Sequence, residues 1–174
     1  MQGIKDFLKK HREIVTYLIF GVLTTFVGWG VYFAVLWIWK GAFSLPVDDT
    51  SSQTYLVGYT VAQVVQWIAA VLFAFFTNRK WVFTDADKSA SVYIQLGKFA
   101  LGRVATFFVD YFVTILAALG LASLIPALTN VAFIGREWNF AEIGAKVLAA
   151  VIVIIANYIF SKIFVFKTKQ KEKV

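Results

Sequence analysis

The chain is 174 residues long, 60% hydrophobic and 18% aromatic, with 16% charged residues and a formal charge of +7, which excludes an ordinary water-soluble domain. It has no cysteine and a single histidine, His11, so disulfides, thiolate zinc sites, paired-histidine metal sites and redox chemistry are excluded, and no cofactor is expected. The basic residues sit at the ends of apolar runs, where they meet anionic lipids and not nucleic acid.

A helix needs about 20 apolar residues to cross a hydrocarbon core about 30 Å thick. Four segments meet that length, predicting an all-α integral membrane protein with a single membrane domain. The first runs uncharged from Ile14 to Trp39, 26 residues, too many for a signal-peptide core, and is expected to be retained. The second, about Tyr55 to Thr77, lies in the uncharged stretch Thr50 to Asn78. The third, about Phe99 to Leu121, carries Arg103 and Asp110, and the fourth, about Ile143 to Phe164, carries Lys146 and Lys162. Ser91 to Lys98, ahead of the third span, is expected to lie on the membrane surface as a short amphipathic helix.

Orientation follows from the Lys and Arg bias. Thirteen of the 17 fall on one side: Lys5, Lys9, Lys10 and Arg12; Arg79, Lys80, Lys88 and Lys98; Lys162, Lys167, Lys169, Lys171 and Lys173. That side is predicted to be cytoplasmic, with both termini, in a cell inner (plasma) membrane. The other side has Lys40 and Arg136 beside Asp48, Asp49 and Glu137. Trp37, Trp39, Trp81 and Tyr93 flank the spans as interfacial anchors.

The chain also resembles itself. Asn78-Arg79-Lys80-Trp81-Val82-Phe83 matches Ser161-Lys162-Ile163-Phe164-Val165-Phe166 at an offset of 83, and spans one and three align at 82. The expectation is two helical-hairpin repeats, about residues 14–83 and 96–166, in parallel orientation and related by an axis along the membrane normal. Gly21, Thr24, Thr25 and Gly28 form a small-residue stripe expected to admit a close helix neighbour. The aligned positions of span three are Arg103, Thr106 and Asp110. Gln63, Gln66, Ala74 and Asn78 on span two correspond to Lys146, Ala149, Asn157 and Ser161 on span four. Function is therefore expected between the copies, chiefly on the second half's polar stripe.

Asp110 and Gln66 fall near the midplane, Arg103 and Asn157 in the cytoplasmic half, and Asn78, Arg79 and Lys162 at its boundary, which predicts a polar, positively biased cluster opening to the cytoplasm. An arginine or aspartate at such depth costs at least roughly 2.5 to 3.5 kcal/mol and usually faces a cavity or pathway. The competing reading is structural: an ion pair, a protonated Asp110 or an Asp110–Gln66 bond, asparagine bridges between helices, and basic anchors at helix ends. Lys146, one turn after Glu142, is expected to snorkel to the outer surface. No phosphate-cradling glycine loop, nucleophile elbow or intramembrane carboxylate pair is present, so binding and passage are expected in place of enzyme catalysis. Arginine on a cavity wall recognises phosphate or carboxylate best, which points to an anionic lipid headgroup.

The stretch Phe75-Phe76-Thr77-Asn78-Arg79-Lys80-Trp81-Val82-Phe83, its echo Asn157 to Phe166 and the glycine-bearing opening Tyr17 to Gly30 resemble the GtrA-like family of small four-span membrane proteins. The resemblance covers about Tyr17 to Phe166. The chain departs from the family pattern at Ala74, where asparagine is common, and at Gly28, where a polar or acidic residue is common. What the resemblance implies is translocation of a polyprenyl-phosphate-linked sugar to the outer leaflet for cell-surface polysaccharide synthesis, with Asn78, Arg79, Asn157 and Lys162 as substrate-binding residues. Arg103 joins them on the phosphate argument, with Asp110 and Gln66 as contacts halfway across. Four helices make a thin wall, which favours a homo-oligomer or a partner polyprenyl-phosphate glycosyltransferase. Two alternatives are an accessory scaffold for such a transferase and a small proton-coupled cation or drug exporter working through Asp110.

Overall fold

The computed structural model describes residues 11–46, 49–87, 90–129, 131–133 and 136–167. Lys5, Lys9, Lys10, Asp48, Lys88, Lys169, Lys171 and Lys173, used above for orientation, lie outside the described residues. Among the described residues four helices are long and apolar enough to span a membrane, and the protein is an integral multi-pass membrane protein. They are α1 (Arg12–Ala42), α2 (Gln53–Thr77), α3 (Val92–Leu124) and α4 (Phe140–Phe160). A π-helical turn extends α2 over Asn78–Val82 and another extends α4 over Ser161–Val165. The chain divides into two compact units at Ala86 and Asp87: α1 packs along α2 in one hairpin, and α3 along α4 in the other.

Most large apolar side chains on these helices are exposed, among them Phe26, Trp29 and Phe33 on α1 and Phe107, Phe112 and Leu116 on α3. In a bilayer that is the expected face, because lipid solvates it and helices satisfy their own backbone polar groups. Packing between helices then depends on small residues that let backbones approach. Ala141, Ala145 and Ala149 repeat every fourth residue along α4 and are all buried. On α2 Gly58 and Ala62 are buried, and a Cβ at Gly58 would collide with the Trp39 indole, whose Nε1 donates to the Thr54 carbonyl at 3.0 Å.

The small-residue stripe expected on α1 is only partly a packing seam. Gly28 approaches Ala70 and Gln66, whereas Gly21 and Thr25 are exposed and a Cβ at Gly21 would meet nothing within 4 Å. The buried positions of α1 are Tyr17 and Gly28. They lie about three turns apart, so the seam runs close to residues 17, 24 and 28 and rotates away from 21 and 25.

The predicted surface helix Ser91 to Lys98 is instead the first two turns of α3, which continues unbroken for 33 residues, about 50 Å. No proline interrupts it, and buried Gln95 ties its first turn down by donating from Nε2 to the Asp87 carbonyl at 3.1 Å. A two-stranded antiparallel hairpin, β1 (Val131–Phe133) with β2 (Arg136–Trp138), joins α3 to α4, using residue types that favour strands.

Between α1 and α2 the loop is held by Lys40, whose Nζ donates to the Asp49 carbonyl at 2.8 Å. Asp49 also accepts from the Ser52 hydroxyl at 2.6 Å and from the Ser52 and Ser51 N–H groups, and Ser52 caps α2 by accepting from the Tyr55 N–H. The Ser52 hydroxyl and N–H hold the Asp49 carboxyl below its ordinary range. Its folded-state value being depressed, this contribution to the cap is present at neutral pH and is lost as pH falls through that lowered value.

Candidate functional site

The two π turns lie 83 residues apart and close alike: the Phe83 N–H donates to the Asn78 carbonyl at 2.9 Å and the Phe166 N–H to the Ser161 carbonyl at 2.8 Å. In the first, the Thr77 hydroxyl donates among the Phe73 and Ala74 carbonyls, at 2.8 and 3.1 Å, competing with the regular backbone ladder where it widens. In both turns the widening sorts the aromatic-Val-Phe exit. Trp81 and Phe164 are exposed, while Val82, Phe83, Val165 and Phe166 are buried. Trp81 stacks on Phe20 with ring centres 5.3 Å apart, fixing the anchor to α1.

Each turn opens on a buried polar residue followed by a base. Asn78 is 3% exposed, and its Oδ1 is buried without a hydrogen-bond partner, a costly state for an acceptor. Arg79 beside it is half-buried, and Lys80 is exposed with its ammonium over the Trp81 ring. In the second hairpin Lys162 is exposed and donates to the Tyr158 hydroxyl at 3.1 Å.

Arg103 is half-buried one helical turn beyond Phe99, its guanidinium 4.8 Å from that ring's centre. Among the described residues it has no hydrogen-bond or carboxylate partner; the ring leaves its forked donors uncommitted. Next to it Gly102 lies against the Phe160 ring, with no room for a Cβ. That close approach of α3 and α4 brings Asn157 to Thr106, whose hydroxyl lies 2.9 Å from Asn157 Oδ1 and 3.0 Å from the Gly102 carbonyl. Both side chains are buried, so Asn157 is at least a helix bridge, with its amide nitrogen outside that bond.

Lys146 has a partner that the sequence reading did not give it. Lys146 Nζ donates to Asp110 Oδ2 at 2.5 Å, with side chains 61% and 28% exposed, so the lysine expected to snorkel pairs across to α3, and of the readings of Asp110 the structure shows the ion pair. The reason lies at the start of α4: Asn139 caps the helix by accepting from the Glu142 N–H and donates to Glu142 Oε1 at 2.9 Å. Glu142 is thereby engaged at the helix start, and Asp110 takes the lysine. Lys146→Met should destabilise the protein by about 2–4 kcal/mol, since it strands a carboxylate in lipid, while the Asp110→Asn, Lys146→Met double variant recovers most of the loss. Thermal unfolding of the wild type, Lys146→Met, Asp110→Asn and the double variant in one detergent measures the coupling.

Gln66 belongs to the first hairpin, where its Nε2 donates to Gln63 Oε1 and Gln63 Nε2 donates to the Tyr59 hydroxyl at 2.9 Å. These three and Trp29, Tyr32 and Phe33 line a groove of about 470 Å³. Gln63, Tyr59 and the three α1 aromatics were not site candidates in the sequence. The glutamine-tyrosine spacing on one face of α2 was a signal, but the aromatics looked like ordinary lipid-facing residues.

The chain matches the model of the family described as the GtrA/DPMS transmembrane domain over residues 16–166. It is 31% identical over 159 residues to the cell wall teichoic acid glycosylation protein GtcA of Listeria monocytogenes, covering 91% of this chain and 88% of that one. It is also 31% identical, with the same coverage, to GtcA of Listeria innocua, and 28% identical to the Bacillus subtilis membrane protein YwcD, covering 91% of this chain and 99% of that one. No solved structure matches the chain.

Proposed function

Because the chain belongs to the GtrA/DPMS transmembrane-domain family, we propose that it moves a polyprenyl-phosphate-linked sugar from the cytoplasmic to the outer leaflet of the inner (plasma) membrane, for modification of a cell-surface glycan. The carrying observation is Arg103, a half-buried guanidinium in an apolar helix with no anionic partner among the described residues. A phosphate supplies that partner, because guanidinium donors match phosphate oxygens in pairs. The names of the Listeria relatives, teichoic acid glycosylation proteins, support the glycan end of the reading.

In this mechanism Arg103 takes the lipid phosphate as it leaves the cytoplasmic headgroup layer. Lys162, on the π turn that ends α4 in the same hairpin, attracts it there, and Arg79, on the π turn that ends α2, attracts anionic headgroups to its own hairpin. In the second hairpin Asn157 donates through its amide nitrogen. Asp110 is held by Lys146 and acts as a neutralised polar pair, not as a cation or proton carrier. The prenyl tail stays in lipid, so only the headgroup needs a polar path, and no covalent bond is made or broken.

Reconstitution with a labelled polyprenyl-phosphate hexose tests the reading. Protein-dependent exposure of the sugar to an impermeant oxidant on the far leaflet is the expected result. No protein-dependent movement, with a glycosyltransferase still bound, would make the protein a scaffold and overturn the proposal.

A further inference from the structure

The groove of the first hairpin carries hydrogen-bonding capacity that the hairpin does not use. Each glutamine amide has two N–H groups and spends one, on Gln63 Oε1 or the Tyr59 hydroxyl. The Gln66 carbonyl oxygen and the Tyr59 O–H have no hydrogen-bond partner among the described residues. That makes at least two donors, an acceptor and a hydroxyl, at a depth where water is scarce and unmet polar groups are costly. Facing them across the groove are Trp29, Tyr32 and Phe33, with Tyr32 set edge-on to Tyr59 at 6.0 Å between ring centres.

None of the six lining residues is charged, so the groove does not suit a phosphate. An acyl chain or an apolar helix of a second copy would fill the aromatic side and leave the amides unmet. A sugar ring meets both demands. Its hydroxyls donate and accept in turn, and its C–H faces carry the slight positive charge that the negative face of an aromatic ring attracts. A volume of about 470 Å³ is within the range of small-ligand sites, which combine aromatic walls with a few placed polar groups.

We infer that this groove is a saccharide subsite, which holds the sugar of the lipid-linked cargo by Gln63, Gln66 and Tyr59 against the α1 aromatics. The inference rests on the proposed function, since it takes the cargo to be a sugar-bearing lipid. Along α2, Gln66 is 12 residues from Asn78, about 18 Å, so the subsite sits well away from the π turn.

The test compares binding of a polyprenyl-phosphate hexose and of bare polyprenyl phosphate to the full-length protein in nanodiscs. The wild type should prefer the sugar-bearing lipid by about tenfold, the worth of one to two good hydrogen bonds. The Gln63→Leu, Gln66→Leu double variant should bring the ratio close to one. Tyr59→Phe, which removes one hydroxyl and keeps the ring, should lower it by about threefold. Val64→Leu, on an exposed face of α2, should keep it. An undiminished preference in both groove variants overturns the subsite and leaves the cargo assignment standing. An undiminished preference with an altered oligomeric state in the double variant gives the groove to a second copy. Equal binding of the two lipids by the wild type removes the subsite alone, and binding of neither removes the cargo assignment as well.

Discussion

Arg103→Ala is expected to leave the lipid-linked sugar on the cytoplasmic leaflet, with transport reduced at least about tenfold, while the protein folds as well as the wild type or better. The two halves of that result have separate causes. A charge-assisted hydrogen bond contributes roughly 1.5–3 kcal/mol, so loss of one to the phosphate is enough for the transport defect. Folding, in contrast, pays a penalty for an arginine in the apolar helix, and alanine removes it. Arg103→Lys should fall between, because the ammonium keeps the charge and lacks the planar pair of donors. Transport in proteoliposomes and thermal unfolding in detergent, measured on the same preparations, check both. Normal transport by Arg103→Ala would defeat the phosphate assignment. Loss of transport with an equal loss of stability would reduce Arg103 to a structural residue.

Gly102→Val should disable the second hairpin by a different route. The Phe160 ring occupies the space a Cβ would need, so the variant must push α3 and α4 apart. Overpacking of this kind costs about 1–3 kcal/mol, and it also draws Asn157 away from Thr106, which that close approach brings together. The expected outcome is a lowered unfolding temperature and reduced transport. Phe160→Ala on the same chain should restore much of the stability by making room. If the second substitution gives no recovery, the close approach at Gly102 is not what sets the helix spacing.

Much of the architecture was legible because it depends on run length. Uncharged stretches such as Ile14 to Trp39 and Thr50 to Asn78 hold helices α1 and α2 without any knowledge of a partner. The matched Asn78 to Phe83 and Ser161 to Phe166 segments marked where the π turns form, though not that the backbone widens there. Gly21, Thr25 and Gly28 looked equally suited to a packing seam, and of the three only Gly28 is buried. Within the candidate site, Arg103 stood out by its depth alone. Thr106 as the partner of Asn157, 51 residues away, and Lys146 as the partner of Asp110, 36 away, did not.

The sequence by itself determined the number of spans and where its charges interrupt them. A bilayer imposes one thickness on every helix, so local composition is sufficient evidence. Tertiary structure decided what each polar residue does. Whether a side chain meets lipid, a carboxylate or a facing ring depends on the rotation and axial offset of two packed helices, to within a fraction of a turn. A shift that small turns Gly21 outward, seats Gly102 on Phe160, hands Lys146 to Asp110 and sets Gln63 and Gln66 opposite the α1 aromatics.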